Sequence, residues 1–288
     1  MVAILGGLGA ALSWAIATLA SSRSSRMIGP MSVLGWVMAV GLAVAIVPAL
    51  IAKPVPLGPS ELLGLFAVGL SHNLGLLLAY RALSIGRVSV VAPITATEGA
   101  LAAVISVLLG EALGIEVAVL LAAIAAGVVL AAAERTRSDD ADPAKGDPEH
   151  TRKAALYALA AAFTFSIGLV LAGRLGAEGM PPAWVMFASR MIGVTIIVLP
   201  LILARRFRLT RQALPLVVLA GVLEVFGGGV YVVAASEGVA VAAVLSSQFA
   251  GFAALGGFVL FGERLQRHQV VGVVVIAVGI TVLSLLRV

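Results

Sequence analysis

The sequence predicts an all-α polytopic membrane protein, with ten transmembrane helices arranged as two inverted five-helix repeats. Three observations carry this reading. Of 288 residues, 61% are hydrophobic and 11% charged, and the mean hydropathy is +1.14. A soluble domain has roughly 45–50% apolar and about 25% charged residues, so a soluble fold of this length would lack the charge to cover its surface. A water-soluble enzyme is thereby excluded. Second, the apolar residues run on for about 20 positions at a time, enough to cross a hydrocarbon core of roughly 30 Å. Barrel strands would instead alternate apolar and polar residues over about 10 positions. Third, the chain repeats itself at a constant offset of 152 residues.

Taken in order, runs bounded by Gly, Pro or charge give spans 2–21, 31–51, 62–81, 88–109, 117–133, 154–173, 183–204, 213–235, 240–261 and 269–286. Only helices satisfy their own backbone hydrogen bonds in lipid, so each run is expected as a helix. Residues 1–21 lack the basic n-region of a cleaved signal peptide and another span follows at once, so they read as the first transmembrane helix. The longest polar stretch, residues 134–153, has two prolines and almost no large apolar side chain, and is expected as a solvated linker. Its acidic residues Asp139, Asp140 and Asp142 lie among basic neighbours with no helix expected around them, so they read as a solvated charge run and not as a metal site. The organisation is therefore a first repeat over 1–133, the linker over 134–153 and a second repeat over 154–288.

The 152-residue offset pairs Ala82 with Ala234, Ser84 with Ser236, Gly86 with Gly238, Gly99 with Gly251, and Gly110-Glu111 with Gly262-Glu263. It also pairs Leu113 with Leu265, Ile124-Ala125 with Ile276-Ala277, Gly127 with Gly279, and Pro48 with Pro200. Five helices per repeat is an odd number, so the second repeat enters the membrane from the opposite side. Inverted repeats are a plan of secondary transporters, whose substrate site lies near the bilayer midplane between the repeats.

A net charge of +5 and a pI near 10.2 could suggest a nucleic-acid partner. The basic residues, however, sit in short loops between apolar runs. Arg23, Arg26, Arg81, Arg87, Arg135, Arg137, Lys145, Arg152, Lys153, Arg205, Arg206, Arg208, Arg211, Arg264 and Arg267 follow the odd-numbered helices, against only Lys53, Arg174 and Arg287 on the other face. The positive-inside rule then puts the odd loops and the linker in the cytoplasm and both termini outside. With no cysteine there is no disulfide framework or thiolate metal site. No cofactor, metal or nucleic acid is expected.

Three charged residues fall deep inside spans: Glu98, Arg190 and Glu224. An ionisable side chain at a helix centre costs about 2.5–3.5 kcal/mol on insertion scales, so these are expected to face a cavity or a partner. The offset places His72 opposite Glu224, so the two are expected to converge on one cavity from symmetry-equivalent helices. Glu98 or Glu224 would bind a cationic group or a proton, with His72 a third candidate for proton coupling because it titrates near neutral pH. Arg190 would meet a carboxylate or neutralise an acid; the alternative is a structural ion pair. Ser71 and Asn73 adjoin His72, Thr95 and Thr97 lie on the Pro93–Glu98 segment, and Ser246, Ser247 and Gln248 stand at the repeat counterpart, all as expected lining or interhelical glue. Pro93 removes a backbone donor and can free a carbonyl toward the cavity. Trp14, Tyr231 and Phe165 could stack on a substrate. Gly227-Gly228-Gly229 allows close helix approach or local flexing, and Glu111 and Glu263, at helix ends, are expected to cap a turn or pair with a neighbouring Arg.

Ser13-Trp14, Tyr80-Arg81-Ala82-Leu83, Pro93, Gly110-Glu111 and Gly262-Glu263-Arg264-Leu265, with a Gly-containing final helix in each half, make the chain similar to the ten-helix, EamA-type branch of the drug/metabolite transporter superfamily. The resemblance spans nearly the whole chain. It implies a small-molecule exporter of the cell membrane, the inner membrane in a bacterium, moving metabolites such as amino acids, or drugs, by alternating access as a monomer or homodimer. In two places the chain departs from the pattern. The family's usual helix-2 arginine occurs only in the second repeat, as Arg190, and Leu245 stands where the first repeat has Pro93. The family is also often described with cytoplasmic termini, against the charge count here. A passive facilitator or channel is the alternative reading. An intramembrane enzyme would need an HExxH, a GxSxG, a cysteine or an embedded Asp pair, and the sequence has none.

Overall fold

A computed structural model describes residues 1–85, 91, 94–132, 148–249, 251–252 and 267–285, and all regular secondary structure among them is helical. The first repeat holds α1 (Val2–Ile28), α2 (Pro30–Ile51), α3 (Pro59–Ile85), α4 (Glu98–Leu108) and α5 (Ile115–Ala132). The second holds α6 (Pro148–Ala177), α7 (Pro182–Leu203), α8 (Leu214–Ala235), α9 (Val239–Ser246) and α10 (Arg267–Leu285). By length and composition α1, α2, α3, α6, α7 and α8 can each cross a membrane; shorter apolar stretches lie in α4, α5 and α10. The chain is a multi-pass membrane protein.

The two halves are related by the same offset in space as in sequence. Contacts between α1 and α8 recur between α6 and α3, those of α2 with α8 recur in α7 with α3, and those of α1 with α9 recur in α6 with α4. The pairs α2–α7, α4–α9 and α5–α10 map onto themselves, so a two-fold axis passes through them. Glycines mark the crossings. A Cβ on Gly69 would strike Ser189 and Ile192, and one on Gly221 would strike Val37 and Val40. Gly75 abuts Phe165, and Gly227 abuts Ser13 and Trp14. Gly127 lies on Ile276 and Gly279 on Ile124; Gly41 meets Arg190 and Gly193 meets Met38. Each pair becomes the other when 152 is added to one residue and subtracted from its neighbour. Small residues at these points let backbones approach, which is how helices gain packing where lipid removes the hydrophobic drive.

Four expectations of regular structure are corrected. The spans 88–109 and 240–261 are not continuous helices. The first turns at Ala96 and Thr97 before α4 begins, and the second turns at Ser247 and Gln248 before helix resumes at Phe249. Side-chain hydroxyls and an amide hold these breaks by donating to nearby carbonyls: Thr95 to Val91, Thr97 to Ile94, Ser246 to Ala243, and both Ser247 and Gln248 to Val244. In α7, residues Val194–Val198 widen into a π-helix ahead of Pro200, which has no N–H to continue the ladder. Finally, α6 begins at Pro148, so 148–153 of the expected linker are helical, with Lys153 and Glu149 paired one turn apart at 2.7 Å. Pro93, Glu263, Arg264, Leu265 and the Asp139–Asp142 cluster lie outside the described residues.

The α4–α9 crossing is the tightest test of this packing, because a Cβ on Gly99 would sit 2.5 Å from the Ala243 carbonyl oxygen, whereas one on Gly229 would meet nothing within 4 Å. Thermal unfolding in detergent is expected to show Gly99→Ala destabilised by about 1–3 kcal/mol and Gly229→Ala unchanged within about 0.5 kcal/mol. Equal melting of the two would contradict the crossing.

Candidate functional site

A cavity of about 160 Å³ opens between the repeats. Its lining comes from α1 (Trp14, Thr18), α3 (Val68, His72, Leu76), α4 (Glu98), α6 (Phe165, Gly168, Leu169, Ala172), α7 (Met186, Ser189, Arg190) and α8 (Glu224, Gly228, Tyr231), together with Phe249 beyond the α9 break. Eight of the residues singled out from the sequence therefore meet in one place: Trp14, His72, Glu98, Phe165, Arg190, Glu224, Gly228 and Tyr231.

Arg190 is 2% exposed, and each contact of its guanidinium has a cause in the fold. Nη2 reaches Glu224 Oε2 at 3.4 Å, an ion pair at the cavity wall. Nη1 donates to Met38 Sδ at 3.4 Å, and Met38 is its own repeat counterpart, 152 residues away. The α2–α7 pair lies on the two-fold axis, so equivalent residues meet there. The first repeat supplies a thioether where the second has a guanidinium. Nε finds no partner among the described residues.

Glu98, 7% exposed, is the first residue of α4. It stands at the N-terminal end of the helix that the Thr97 turn has interrupted, the end that carries partial positive charge. Among the described residues its side chain makes no ion pair or hydrogen bond that would neutralise it, unlike Glu224. Across the cavity the His72 ring meets Phe165 edge-on at 5.8 Å and 61°, with Nε2 lacking a partner among the described residues. Trp14 and Tyr231 stand 6.0 Å apart, and the Tyr231 hydroxyl donates to the Leu169 carbonyl at 3.0 Å. The lining thus combines a paired arginine and acid, a second acid without such a partner, an imidazole and a cluster of aromatic faces.

The seven uncharged polar candidates Ser71, Asn73, Thr95, Thr97, Ser246, Ser247 and Gln248 do not line the cavity. Asn73 Nδ2 donates to the carbonyls of Gly69 (2.8 Å) and Ser189 (2.9 Å), which ties α3 to α7. Thr95, Ser247 and Gln248 spend their donors on the helix breaks described above. Ser71 packs near Gly168. Several lining residues not singled out from the sequence sit one turn from those that were, Thr18 from Trp14, Val68 and Leu76 from His72, Leu169 from Phe165 and Met186 from Arg190, while Ser189 adjoins Arg190. Helical spacing of i+4 from the deep polar residues was the available signal. Of the triple glycine, Gly227 packs under Trp14 and Gly228 lines the cavity beside Met186.

The profile of the EamA-like transporter family matches residues 1–133 and 152–285. The chain belongs to this family. It is therefore a membrane transporter of the drug/metabolite type. No curated protein matches the chain. A solved crystal structure superposes on the EamA-like chain with a TM-score of 0.78 at 18% identity, covering 99% of this chain and 96% of the other, a likeness that shows the fold.

Removing one member of a buried ion pair strands the other, at a cost of roughly 3–5 kcal/mol. Arg190→Met, which copies the first repeat's residue onto the second, is expected to lower stability by about that amount, and Arg190→Met with Glu224→Gln to recover most of it. Additive losses in the double variant, measured by thermal unfolding, would show that the pair does not hold the fold.

Proposed function

We propose that this EamA-like protein is a secondary transporter that exports a small amphipathic metabolite, with an amino acid as the type substrate, through the cavity between its repeats by alternating access. The observation that carries this is the placement of Glu98: an acid with no ion-pair partner among the described residues, at the start of an interrupted helix, in a cavity walled by both halves of an inverted repeat. Glu98 binds a cationic group of the substrate or a proton. Arg190 and Glu224 give the opposite wall its dipole, His72 is a further proton acceptor, and Trp14, Tyr231 and Phe165 cover the apolar part. The cavity measures about 160 Å³. It falls below the roughly 300–1,000 Å³ of drug-sized pockets, which favours a metabolite over a drug.

The protein resides in the bacterial inner membrane, as a monomer or homodimer. Its basic odd-numbered loops face the cytoplasm and both termini face out. The partner at the site is a small solute; nucleic acid has no place in this reading.

Reconstituted in proteoliposomes and offered a panel of amino acids and related amines, the protein is expected to show saturable counterflow that responds to a pH gradient. Glu98→Gln and Glu224→Gln should abolish transport while inserting normally. Full activity in both variants would sink the acid-site reading, uptake that ignores the gradient would remove the proton step, and flux without counterflow would mark a passive facilitator.

A further inference from the structure

The Gly110-Glu111 dipeptide ends α4, and its backbone alone completes that helix. Gly110 adopts φ 100, and its N–H donates to the Val107 carbonyl while the Glu111 N–H donates to Ser106, both at 3.0 Å. This paired arrangement satisfies the last carbonyls of a helix and needs a residue tolerant of positive φ, which is why glycine precedes the glutamate. The Glu111 side chain is left over, and it crosses to the other repeat. Its Oε1 and Oε2 accept from the Ala240 N–H at 3.1 and 3.2 Å.

Ala240 is the second residue of α9, so its N–H is one of the donors a helix start leaves without an internal partner. The residue before α9 is Gly238, which has no side chain to cap it, and α9 makes no side-chain cap of its own. The first repeat therefore supplies in trans, and as a carboxylate at a positive helix end, the cap that the second repeat lacks.

We propose that Glu111 is a latch between the repeats: by capping α9 it holds the α4–α5 end of the bundle shut, and its release opens the cavity toward that face. The latch deepens, and rests on, the alternating-access reading. Geometry separates the moving end from the fixed one. α4 and α9 touch most closely at Gly99, beside Glu98, where backbone meets backbone and nothing can give. Their other end is joined by the partly exposed Glu111, which can trade the Ala240 N–H for water. One further tie lies at the same end: Arg174 Nη2 donates to the Leu109 carbonyl at 2.8 Å. The α4–α9 pair can thus pivot at its glycine crossing while Glu111 sets how often the far end parts.

The chain has no cysteine, so one introduced at Ala172, in the cavity wall, reports opening by its rate of reaction with a membrane-impermeant maleimide. In this Ala172→Cys background, Glu111→Ala is expected to raise labelling from the face bearing the α4–α5 and α8–α9 loops by about 2- to 30-fold, the range a lost helix cap gives. Gly238→Ser should do likewise without loss of melting temperature. It offers α9 a local cap in competition with Glu111, and Gly238 has an extended backbone that accepts a side chain with nothing nearer than Glu111 Oε1 at 3.7 Å. A purely structural cap predicts unchanged labelling in Gly238→Ser, and that result overturns the latch even if Glu111→Ala fails to fold. Labelling of the parent from one face alone under every gradient overturns alternating access, while the variant-to-parent ratio still decides the latch.

Discussion

The fold depends on one constraint: two copies of a five-helix unit, inserted in opposite senses, must present surfaces that fit each other at the same points. In lipid there is little hydrophobic drive between helices, so contact has to come from close packing. The glycines at 69 and 221, 75 and 227, 127 and 279, and 41 and 193 satisfy this twice over, each meeting in one repeat the residues whose counterparts meet its partner in the other. A larger residue at any one of them disturbs a crossing whose symmetric mate still fits. The duplicated sequence is thus a packing requirement as much as a record of descent.

On this symmetric scaffold the chemistry is asymmetric. Arg190 faces Met38 across the axis, Glu224 stands where the first repeat has His72, and the cavity draws the charged members of both pairs into one wall. A symmetric cavity would place like charges opposite each other at membrane depth, where they have no water to screen them. Letting one repeat carry the arginine and the other a thioether removes that conflict. It also leaves Glu98 as the acid whose charge no described neighbour answers. Glu111 also joins the halves, since this glutamate at the end of α4 in the first repeat caps α9 in the second.

Much of this was legible beforehand. Composition gave the membrane, the odd helix count gave the inversion, and the cost of burying charge singled out Glu98, Arg190 and Glu224, all three of which line the cavity. The polar but uncharged residues were harder. Asn73, Thr95, Ser247 and Gln248 look like ligands in a sequence because they are polar in apolar runs. Each can also donate to a carbonyl one turn away or across a crossing, and here each does, with only Asn73 Oδ1 and Gln248 Oε1 left without a partner among the described residues. A charge has no such local outlet, which is why the charged candidates are the ones that reach the cavity wall.

By itself, then, the sequence determined the helical class, the duplication and the few side chains too costly to leave facing lipid. These follow from transfer free energies and from periodicities within a single segment. Tertiary structure decided where α4 and α9 break, which neighbours of the deep charges reach the cavity, that Arg190 spends its charge on Glu224, and that Glu111 caps a helix 129 residues further along. Those outcomes turn on which of several chemically adequate partners lies within about 3 Å. Only the packing of one repeat against the other fixes that distance.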